Sequence, residues 1–573
     1  MTGSEALAYG ALEAGVQLVT GYPGSPSTTI VEALLRLQGP APSAGAGAQV
    51  RIEWAINEKS AFDAAFGASL AGIRSLLCVK SVGLNVALDS LMVSNLAGGN
   101  GGFVILVGDD PGGWGSQNEE DSRLLVAAAQ VPLLEPTSPA DARPAMRQAF
   151  DLSEQFQVPV VVRITRALAV DQTALAPLPT PAPRYRPASF QRQPDRFNVL
   201  PIHVVEFHRR LQATMDKVQA RFEHSPLNSE EGQSKRGVIA AGYAYHKLVQ
   251  VVAQASAGLR RERLDVGNLN RAVERSAETG GHPPLRILRL GTLHPLPERR
   301  IVEFLRQVDA ALVLEEIAPY VEIRVQAIAQ RAGLTLPIYG RSSKHLPGTG
   351  ELFAPHIVQG LTLLLPDWAW PSFEHAGRTM PSQKPLCDDC PYIGLFEALL
   401  TIMERHGGRK GFIVTGETGC MVRAQLPPWE LLDLKYGMGS SIGLAAGLAR
   451  TGIPQRIVAL SGDSAFLHSG WAELVDAAQA GVSFVVVVLA NEITALSGGQ
   501  PHPATDHNAQ GRPRRPVNLA ALVKAAGVDM IRVVDPADAD ATQTALEEGL
   551  SSSGVAVIIA QRACPRWNGE ATR

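Results

Sequence analysis

The chain has 573 residues, of which 45% are hydrophobic and 19% charged, and its formal net charge is −3. A chain of this length is too long for a single hydrophobic core, and its charge does not favour binding to nucleic acid or to an anionic membrane. Its five cysteines are too few for a secreted disulfide scaffold. No apolar run is long enough to span a bilayer, and the N-terminus lacks the basic segment of a signal peptide. These properties predict a cytoplasmic enzyme of several domains.

The first block, residues 1–170, alternates helical segments with short β-branched runs. ALAYGALEAG and SAFDAAFGASLAG predict helices, whereas VQLVTGYP, RSLLCVK, GGFVILVGDDP and VPVVVRI predict strands. This alternation indicates a doubly wound parallel sheet. Residues 171–235 then form a Pro-rich connector that we expect to be extended rather than packed, with an exposed loop at LNSEEGQSK.

Two further α/β blocks follow the connector. In residues 236–376, RGVIAAGYAYHKLVQVVAQA predicts a strand and a helix, and LRILRLGTLHPLP and AALVLEEIAPY predict strands on either side of the helix ERRIVEFLRQV. A second connector, 377–386, leads to the last block, 387–573. The predicted fold is therefore α/β, with three doubly wound parallel-sheet domains. FDAAFGASLAGIRSLLCV in the first block and SSIGLAAGLARTGIPQRIVAL in the last are alike, which either a shared fold or ordinary close helix packing explains.

Polar residues follow two neighbouring predicted strands of the last block. Asp463 comes directly after RIVALSG and Asn491 after VSFVVVVLA, with the predicted helix HSGWAELVDAAQAG between them. Residues beyond the carboxyl ends of parallel strands line the ligand crevice, and the helix N–H groups can bind anionic oxygens. Carboxylate and amide oxygens suit Mg²⁺, which leaves coordination positions for phosphate. For an isolated Gly-Asp pair, a helix-capping Asp and a turn Asn are the alternative.

This Gly-Asp and Asn pattern resembles the metal motif of thiamine-diphosphate enzymes. The resemblance implies that Asp463, Asn491 and the backbone carbonyl of Ile493 hold Mg²⁺, which in turn holds the diphosphate. Glu58, in EWAINEKSAFDAAFGASLAG, stands where these enzymes place the carboxyl group that hydrogen-bonds the aminopyrimidine ring. A glutamate favoured by the dipole of its own helix is the alternative.

Seven stretches in the same order narrow the resemblance to the large subunit of indolepyruvate:ferredoxin oxidoreductase. They are GYPGSPSTTIVEALL, EWAINEK, VKSVGLNVALDSLM, GDDPGGWGSQNEEDSR, GTLHPLPE, GDSAFLHSG and GGQPHP. That family decarboxylates arylpyruvates oxidatively, passes the electrons to iron–sulfur clusters and releases an acyl-CoA. The resemblance therefore implies a small-subunit partner, CoA as co-substrate, an aryl or branched 2-oxoacid as substrate, and a homodimer or (αβ)₂ assembly.

The same resemblance assigns the residues of the site. It implies that the cofactor is bound by Glu58, Gly416, Gly439, Gly462, Asp463, Ser464 and Asn491. It also places Ser25 beside the substrate carboxylate and His502 on the thiazolium side of the site. For Ser25, an ordinary turn hydroxyl is the alternative.

Four cysteines resemble the proximal [4Fe–4S] ligands of the 2-oxoacid oxidoreductases. They are the CxxC pair Cys387 and Cys390 with the more distant Cys420 and Cys564. Four thiolates suffice for such a cluster, but a structural zinc accepts the same sulfurs, and scattered buried thiols are a third interpretation. We expect Cys78, inside the apolar run SLLCVK, to be a core residue.

The chain departs from the family pattern at several positions. We expect it to lack the family's C-terminal ferredoxin-like module; Asp388 and Asp389 replace Pro-Gly, and Ser81 and Gly499 stand where the family tends to have His. Carboxylates beside a cluster lower its reduction potential. The electron acceptor, ferredoxin or a flavin, therefore stays open, as do a non-redox thiamine-diphosphate decarboxylase or carboligase and a catalytically silent scaffold.

Overall fold

The computed structural model describes residues 1–38, 50–173, 186–256, 283–373 and 385–567. The chain divides into two compact units, Met1–Ile52 with Glu58–Met380 and Glu53–Asn57 with Pro381–Arg573. The described residues form three largely parallel sheets with flanking helices, which confirms the predicted α/β class. The second expected connector, 377–386, lies mostly outside the described residues. No helix in the described ranges is both long and apolar enough to cross a membrane.

The first sheet lies in the first unit, apart from the last two residues of β2. Its strands, numbered in chain order, are β1 (Leu18–Gly21), β2 (Arg51–Trp54), β3 (Ser75–Lys80), β4 (Phe103–Asp109), β5 (Leu133–Leu134), β6 (Val160–Thr165) and β10 (Thr292–His294). The strand order is β10-β5-β6-β4-β3-β1-β2, and β10 runs antiparallel to β5. β4 and β6 are buried along their whole length, as expected of apolar parallel strands covered on both faces. The predicted strands of the first block are thus confirmed, and Cys78 is fully buried in β3.

Helices connect the strands of this sheet. The first one begins after Thr2, whose side chain accepts from the backbone N–H of Glu5 while the Glu5 carboxylate accepts from the Thr2 N–H. In chain order, the helices that precede the second sheet are Gly3–Glu13, Thr28–Gln38, Glu58–Leu70, Ser81–Ala97, Ser122–Ala128, Pro139–Phe156, Arg166–Val170, Pro194–Phe197 and Val204–Phe222.

The second sheet belongs to the same unit and has the order β12-β11-β8-β9-β7. Its strands are β7 (Ser229–Glu231), β8 (Arg236–Ala241), β9 (Arg286–Leu290), β11 (Ala310–Leu314) and β12 (Ile338–Tyr339). Its helices are Tyr243–Ala255, Glu298–Leu305, Tyr320–Arg331 and Ala354–Leu364. Val238, Leu312 and Leu361 pack in one core between strands and helices. The strand and helix order predicted for the middle block is confirmed.

The prediction that residues 171–235 form an extended connector is wrong over much of their described length. Residues Val204–Phe222 form a helix whose buried residues, spaced three or four apart, make one apolar face: Phe207, Leu211, Met215, Val218 and Phe222. Leu211 and Met215 pack against Val158, with Leu96 and Phe156 beside them. Part of the expected exposed loop, Ser229–Glu231, pairs antiparallel with β9. Tertiary packing therefore incorporates this segment into the first unit.

The third sheet forms the centre of the second unit, with the order β14-β13-β15-β16-β18-β17 and parallel pairing throughout. Its strands are β13 (Phe412–Gly416), β14 (Leu434–Lys435), β15 (Arg456–Gly462), β16 (Phe484–Ala490), β17 (Met530–Val534) and β18 (Val555–Gln561). Its longer helices are Ile393–Arg405, Ser441–Arg450, Trp471–Gln479, Leu519–Ala525 and Ala539–Leu550. Short helical turns occupy Arg409–Gly411, Cys420–Gln425, Asp463–Ala465, Phe466–Gly470, Ala495–Ser497 and Pro565–Trp567.

Both faces of the third sheet are covered by apolar cores. In β15, Val458 and Leu460 contribute to one core, whereas Ile457 and Ala459 contribute to the other. Successive side chains of a strand point to opposite faces, so an unbroken apolar run is required where both faces are buried. This burial fixes which residues emerge at the ends of the strands.

Two fully buried arginines connect elements of the first unit. Arg163 in β6 donates from Nε to Asp109 Oδ2 at 2.6 Å, and its Nη1 lies 2.7 Å from Glu135 Oε1. Arg123 pairs with Asp121 at 2.6 Å and with Glu315, from the end of β11, at 2.8 Å. Charges removed from water in this way are stable only while they stay paired.

Replacing Arg163 by Met should destabilise the first unit strongly, because Asp109 and Glu135 would remain buried without their counter-charge. We expect a loss of about 3–5 kcal/mol in the free energy of unfolding, measured by urea denaturation of the full chain. The control is Arg186→Met, because the Arg186 side chain is 51% exposed where it pairs with Glu154; this change should cost less than about 1 kcal/mol. Equal effects of the two substitutions would contradict the assigned role of the buried pairs.

Candidate functional site

Adjacent strands of the third sheet bring two of the predicted metal ligands together. β15 and β16 pair in parallel with Gly462 opposite Leu489, so Asp463 and Asn491 follow directly from neighbouring strand ends. Both residues are buried, with exposed fractions of 2% and 8%. The predicted placement of these two residues at one edge of the sheet is therefore what the strand register produces.

The Asp463 carboxylate organises the loop after β16. Its Oδ1 accepts from the Ser464 N–H at 2.8 Å and its Oδ2 from the Glu492 N–H at 2.7 Å. The Asn491 side-chain oxygen accepts from the Ile493 N–H at 3.2 Å, which forms a local Asx turn. A carboxylate has about four lone-pair positions, so Asp463 keeps the capacity to bind a cation.

This donor set fits Mg²⁺ by its chemistry. It consists of one carboxylate, one amide oxygen and, from Ile493, one backbone carbonyl, which are the hard oxygen ligands that Mg²⁺ prefers. In the described part of the chain, no group of three or more His, Cys, Asp or Glu side chains is placed to hold a metal ion. The magnesium set has only one residue of these types, so that finding does not bear on it. It does apply to Cys387, Cys390, Cys420 and Cys564, which do not form such a group as they stand.

The glycines assigned to the cofactor differ in what surrounds them. Gly439 has φ +79°, and a Cβ there would lie 1.8 Å from Ser469 Oγ, so a larger residue does not fit. A Cβ at Gly416 would lie 2.7 Å from the Leu432 side chain, whereas at Gly462 the nearest atom is 3.9 Å away. The open side of Gly462 adjoins Asp463, which suits close approach of a ligand to the backbone.

His502 also lies at this edge of the third sheet. It is 2% exposed, and its Nε2 is 3.1 Å from Asp463 Oδ2. Its Nδ1 accepts from the Ala504 N–H at 3.1 Å, so the ring nitrogen that faces Asp463 is the one that can carry a proton. The sequence predicted a polar group near the cofactor; the structure places this histidine against the carboxylate of Asp463.

Gly499 occupies a position where a histidine does not fit. Its φ is +78°, and a Cβ there would lie 2.4 Å from the indole ring of Trp567. Trp567 therefore fills the space next to residue 499. Glycine thus replaces the family's histidine at a position against which Trp567 packs.

The four predicted cluster ligands lie within electrostatic range of one another. Burial, together with the nearby thiols of Cys390, Cys564 and Cys387, raises the pKa of Cys420 to about 12. Burial is also the main cause that raises the pKa of Cys390 and of Cys564. The charge of Cys387 raises the pKa of each of these two thiols as well. Segments that are far apart in the chain thus place their thiols in one neighbourhood.

Hydrogen-bond donors surround these thiols. Arg423 Nη1 lies 3.7 Å from Cys387 Sγ, and the backbone N–H groups of Tyr392 and Arg566 donate to the sulfurs of Cys390 and Cys564. N–H donors stabilise thiolates, the form in which cysteine binds a metal cluster. The backbone N–H of Cys564 also donates to the Asn491 carbonyl oxygen at 3.2 Å, which connects the thiols to the predicted magnesium ligands.

The remaining predicted residues belong to the first unit. Glu58 begins the helix Glu58–Leu70 and is 6% exposed. Its carboxylate packs against Gly83, where a Cβ would lie 2.6 Å from Glu58 Oε1. Ser81 begins the helix that carries Gly83 and is buried. Ser25 is exposed in the turn between β1 and the helix Thr28–Gln38.

Sequence reasoning missed one ionisable residue at the edge of the third sheet. Glu417 follows β13 in the stretch TGETG and is fully buried. A charged residue directly after an apolar strand is the same signal that identified Asp463. Its neighbour β15 carries Ser461, whose hydroxyl donates to Glu417 Oε1.

Two protein-family models match parts of this chain. The model for "Pyruvate flavodoxin/ferredoxin oxidoreductase, thiamine diP-bdg" matches residues 9–233, and that for "Thiamine pyrophosphate enzyme, C-terminal TPP binding domain" matches residues 417–560. The second match contains Asp463 and Asn491. The first contains Glu58 and Ser25.

Whole-length relatives carry a common name, indolepyruvate oxidoreductase subunit IorA. The Archaeoglobus fulgidus protein is 32% identical over 98% of this chain and 86% of its own length. The Thermococcus kodakarensis protein is 33% identical over 98% and 85%, and the Methanothermobacter thermautotrophicus protein 32% identical over 99% and 87%. These relatives are oxidoreductases, so they favour neither the non-redox decarboxylase nor the silent scaffold. The chain belongs to the indolepyruvate oxidoreductase subunit IorA family of thiamine-diphosphate-dependent 2-oxoacid oxidoreductases, as its motifs predicted.

Proposed function

We propose that this protein oxidatively decarboxylates an aryl or branched 2-oxoacid, such as indolepyruvate, in the cytoplasm. The 2-oxoacid and CoA give CO₂ and an acyl-CoA, with release of one proton and two electrons. A ferredoxin or a flavin accepts the electrons, by way of an iron–sulfur cluster. When bound, thiamine diphosphate supplies the carbon nucleophile that adds to the keto group.

One observation carries the redox part of the proposal. The Cys564 N–H donates to the Asn491 carbonyl at 3.2 Å, so the four-thiol neighbourhood and the predicted magnesium ligands meet in the second unit. Electrons released at the cofactor therefore have a nearby group that can accept them if the thiols carry a [4Fe–4S] cluster. A structural zinc or inert thiols would leave this proximity without a role.

Each residue has a role that follows from its chemistry. Asp463, Asn491 and the Ile493 carbonyl hold Mg²⁺, with Ser464 at the helix start and Gly416, Gly439 and Gly462 allowing the diphosphate to approach the backbone. The carboxyl group of Glu58 hydrogen-bonds the aminopyrimidine of a bound thiamine diphosphate and moves its proton. Ser25 orients the substrate carboxylate by a hydrogen bond, and His502 is a polar group on the thiazolium side of the site.

The domain boundaries and partners belong to the same proposal. Residues 1–170 bind the pyrimidine, 236–376 form the middle domain and 387–573 bind the diphosphate. The relatives are named as subunits, which supports a partner subunit in the active enzyme. A homodimer or an (αβ)₂ assembly is the expected form.

Changing Glu58 to Gln should abolish decarboxylation while leaving binding of thiamine diphosphate with Mg²⁺ largely intact. Loss of general acid–base catalysis typically costs about 10²–10⁴-fold in rate. The rate is measured with a 2-oxoacid and an artificial electron acceptor, and binding by calorimetry. Asp63→Asn, on the same helix and exposed, is the control and should keep full activity. In Asp463→Asn, by contrast, binding of thiamine diphosphate should itself weaken. Normal turnover by Glu58→Gln would contradict the role assigned to Glu58.

Protein purified without oxygen should contain about four iron and four sulfide atoms per chain. Cys420→Ser should lose them, because a cluster needs each of its four thiolates. Cys78→Ala, which removes a thiol from the core of β3, should keep them. Zinc in place of iron, or equal metal content in the two variants, would contradict the cluster and leave the thiamine diphosphate site standing.

Changing Asp389 to Asn should make the reduction potential of the cluster more positive. Asp389 lies in electrostatic range of both Cys390 and Cys564, and a negative charge there disfavours the reduced state. The expected shift is on the order of tens of millivolts. It is measured by a redox titration monitored by electron paramagnetic resonance. Asp388→Asn is the matched control: its charge is not among the largest that act on these two thiols, so a shift as large as that of Asp389→Asn would refute this explanation.

A further inference from the structure

A buried acid that the proposed mechanism does not use lies beside the candidate site. Glu417 follows β13, which pairs in parallel with β15, so Glu417 and Asp463 lie at neighbouring strand ends. β16 on the other side of β15 ends next to Asn491. Three adjacent strands therefore present a polar side chain at one edge of the sheet, and two of these side chains already have a role.

The two oxygens of the Glu417 carboxyl group are in different situations. Oε1 accepts a hydrogen bond from the Ser461 hydroxyl. Oε2 is buried and has no hydrogen-bond partner among the described residues. An unpaired buried oxygen destabilises a folded protein, so it is uncommon and calls for an explanation such as a functional contact. Ser461 lies two residues before Asp463, which ties the position of Glu417 to that of the metal ligand.

The surroundings of Glu417 determine its protonation state. Burial raises its pKa to about 8, although the Ser461 hydroxyl and the backbone N–H groups of Gly439 and Gly462 act in the opposite direction. Glu473 also contributes to this rise, and Lys435, a cation in range, has its own pKa lowered by burial. At neutral pH, Glu417 is therefore mostly a neutral acid, which can donate a hydrogen bond and does not repel an anion.

We propose that Glu417 is a further residue of the thiamine diphosphate site, where its carboxyl group donates a hydrogen bond from Oε2 to an acceptor atom of the bound cofactor. The proposal rests on the cofactor site described above and adds a donor on a third strand. The backbone N–H groups of Gly439 and Gly462, two of the glycines assigned to the cofactor, lie in electrostatic range of the Glu417 carboxyl group. The acceptor is either a phosphate oxygen or a ring nitrogen, and the choice of ligand in the experiment separates them.

The test measures binding of thiamine diphosphate to the full chain by calorimetry at constant Mg²⁺. At pH 7, Glu417→Gln should bind within about threefold of the wild type, because the amide keeps a neutral donor, whereas Glu417→Ala should bind at least tenfold more weakly. The same series with inorganic pyrophosphate identifies the acceptor: a parallel loss assigns it to the phosphates, and no loss assigns it to the rings. Asp476→Asn is the control, an exposed acid of the same unit that pairs with Arg450, and it should bind as the wild type does.

The pH dependence gives a readout that a purely structural role would not produce. The pKa of the folded-state carboxyl is raised, so its proton and its donor are present below pH 8 and lost above it. Wild-type affinity should therefore fall between pH 7 and pH 9, and Glu417→Gln should lack this component. Identical pH profiles for the two proteins, or unchanged binding by Glu417→Ala, would overturn the proposal. If Glu417→Ala does not fold, the comparison with Glu417→Gln still decides; a wild type that does not bind thiamine diphosphate at all would overturn the cofactor site itself.

Discussion

Parallel pairing of β15 with β16 is the constraint on which the candidate site of the second unit depends. The register places Gly462 opposite Leu489, so the residues that follow emerge side by side. A shift of one residue would turn each side chain of the shifted strand to the opposite face and so into the wrong core. Because both faces of the sheet are buried, that shift is strongly disfavoured. The hydrophobic packing of two strands thereby fixes where Asp463 and Asn491 stand.

Buried charge is handled in two ways in the two units. In the first unit, Arg163 and Arg123 pair with carboxylates at 2.6–2.8 Å, and the pairs connect elements of both sheets. In the second unit, Lys435 is in electrostatic range of Glu417, but burial outweighs it and favours the neutral acid. Pairing makes a rigid structural support, whereas neutralisation leaves a hydrogen-bond donor available. The chemistry of a buried acid is thus decided by its neighbours rather than by its residue type.

Sequence patterns located most strands and failed where packing, rather than local pattern, decided. The apolar runs of β3, β4, β6, β15 and β16 were predictable, because strands buried on both faces have few alternatives. The helix Val204–Phe222 was predicted as a connector because prolines before it dominated the interpretation, although its apolar spacing of three and four was visible. The short strand Ser229–Glu231 is polar, and it is a strand only because β9 offers a free edge.

The sequence by itself determined the family and the α/β class. It also predicted the residues that we propose to bind magnesium and thiamine diphosphate, because they follow strands in recognisable patterns. Only the tertiary structure brought His502 to 3.1 Å from Asp463, gathered four thiols from distant segments, and placed Trp567 against Gly499. It also showed that Glu417 has one bonded and one unpaired oxygen. Local patterns record the strand that a residue follows, whereas contacts between loops depend on how separate strand ends converge, which no spacing in the chain encodes.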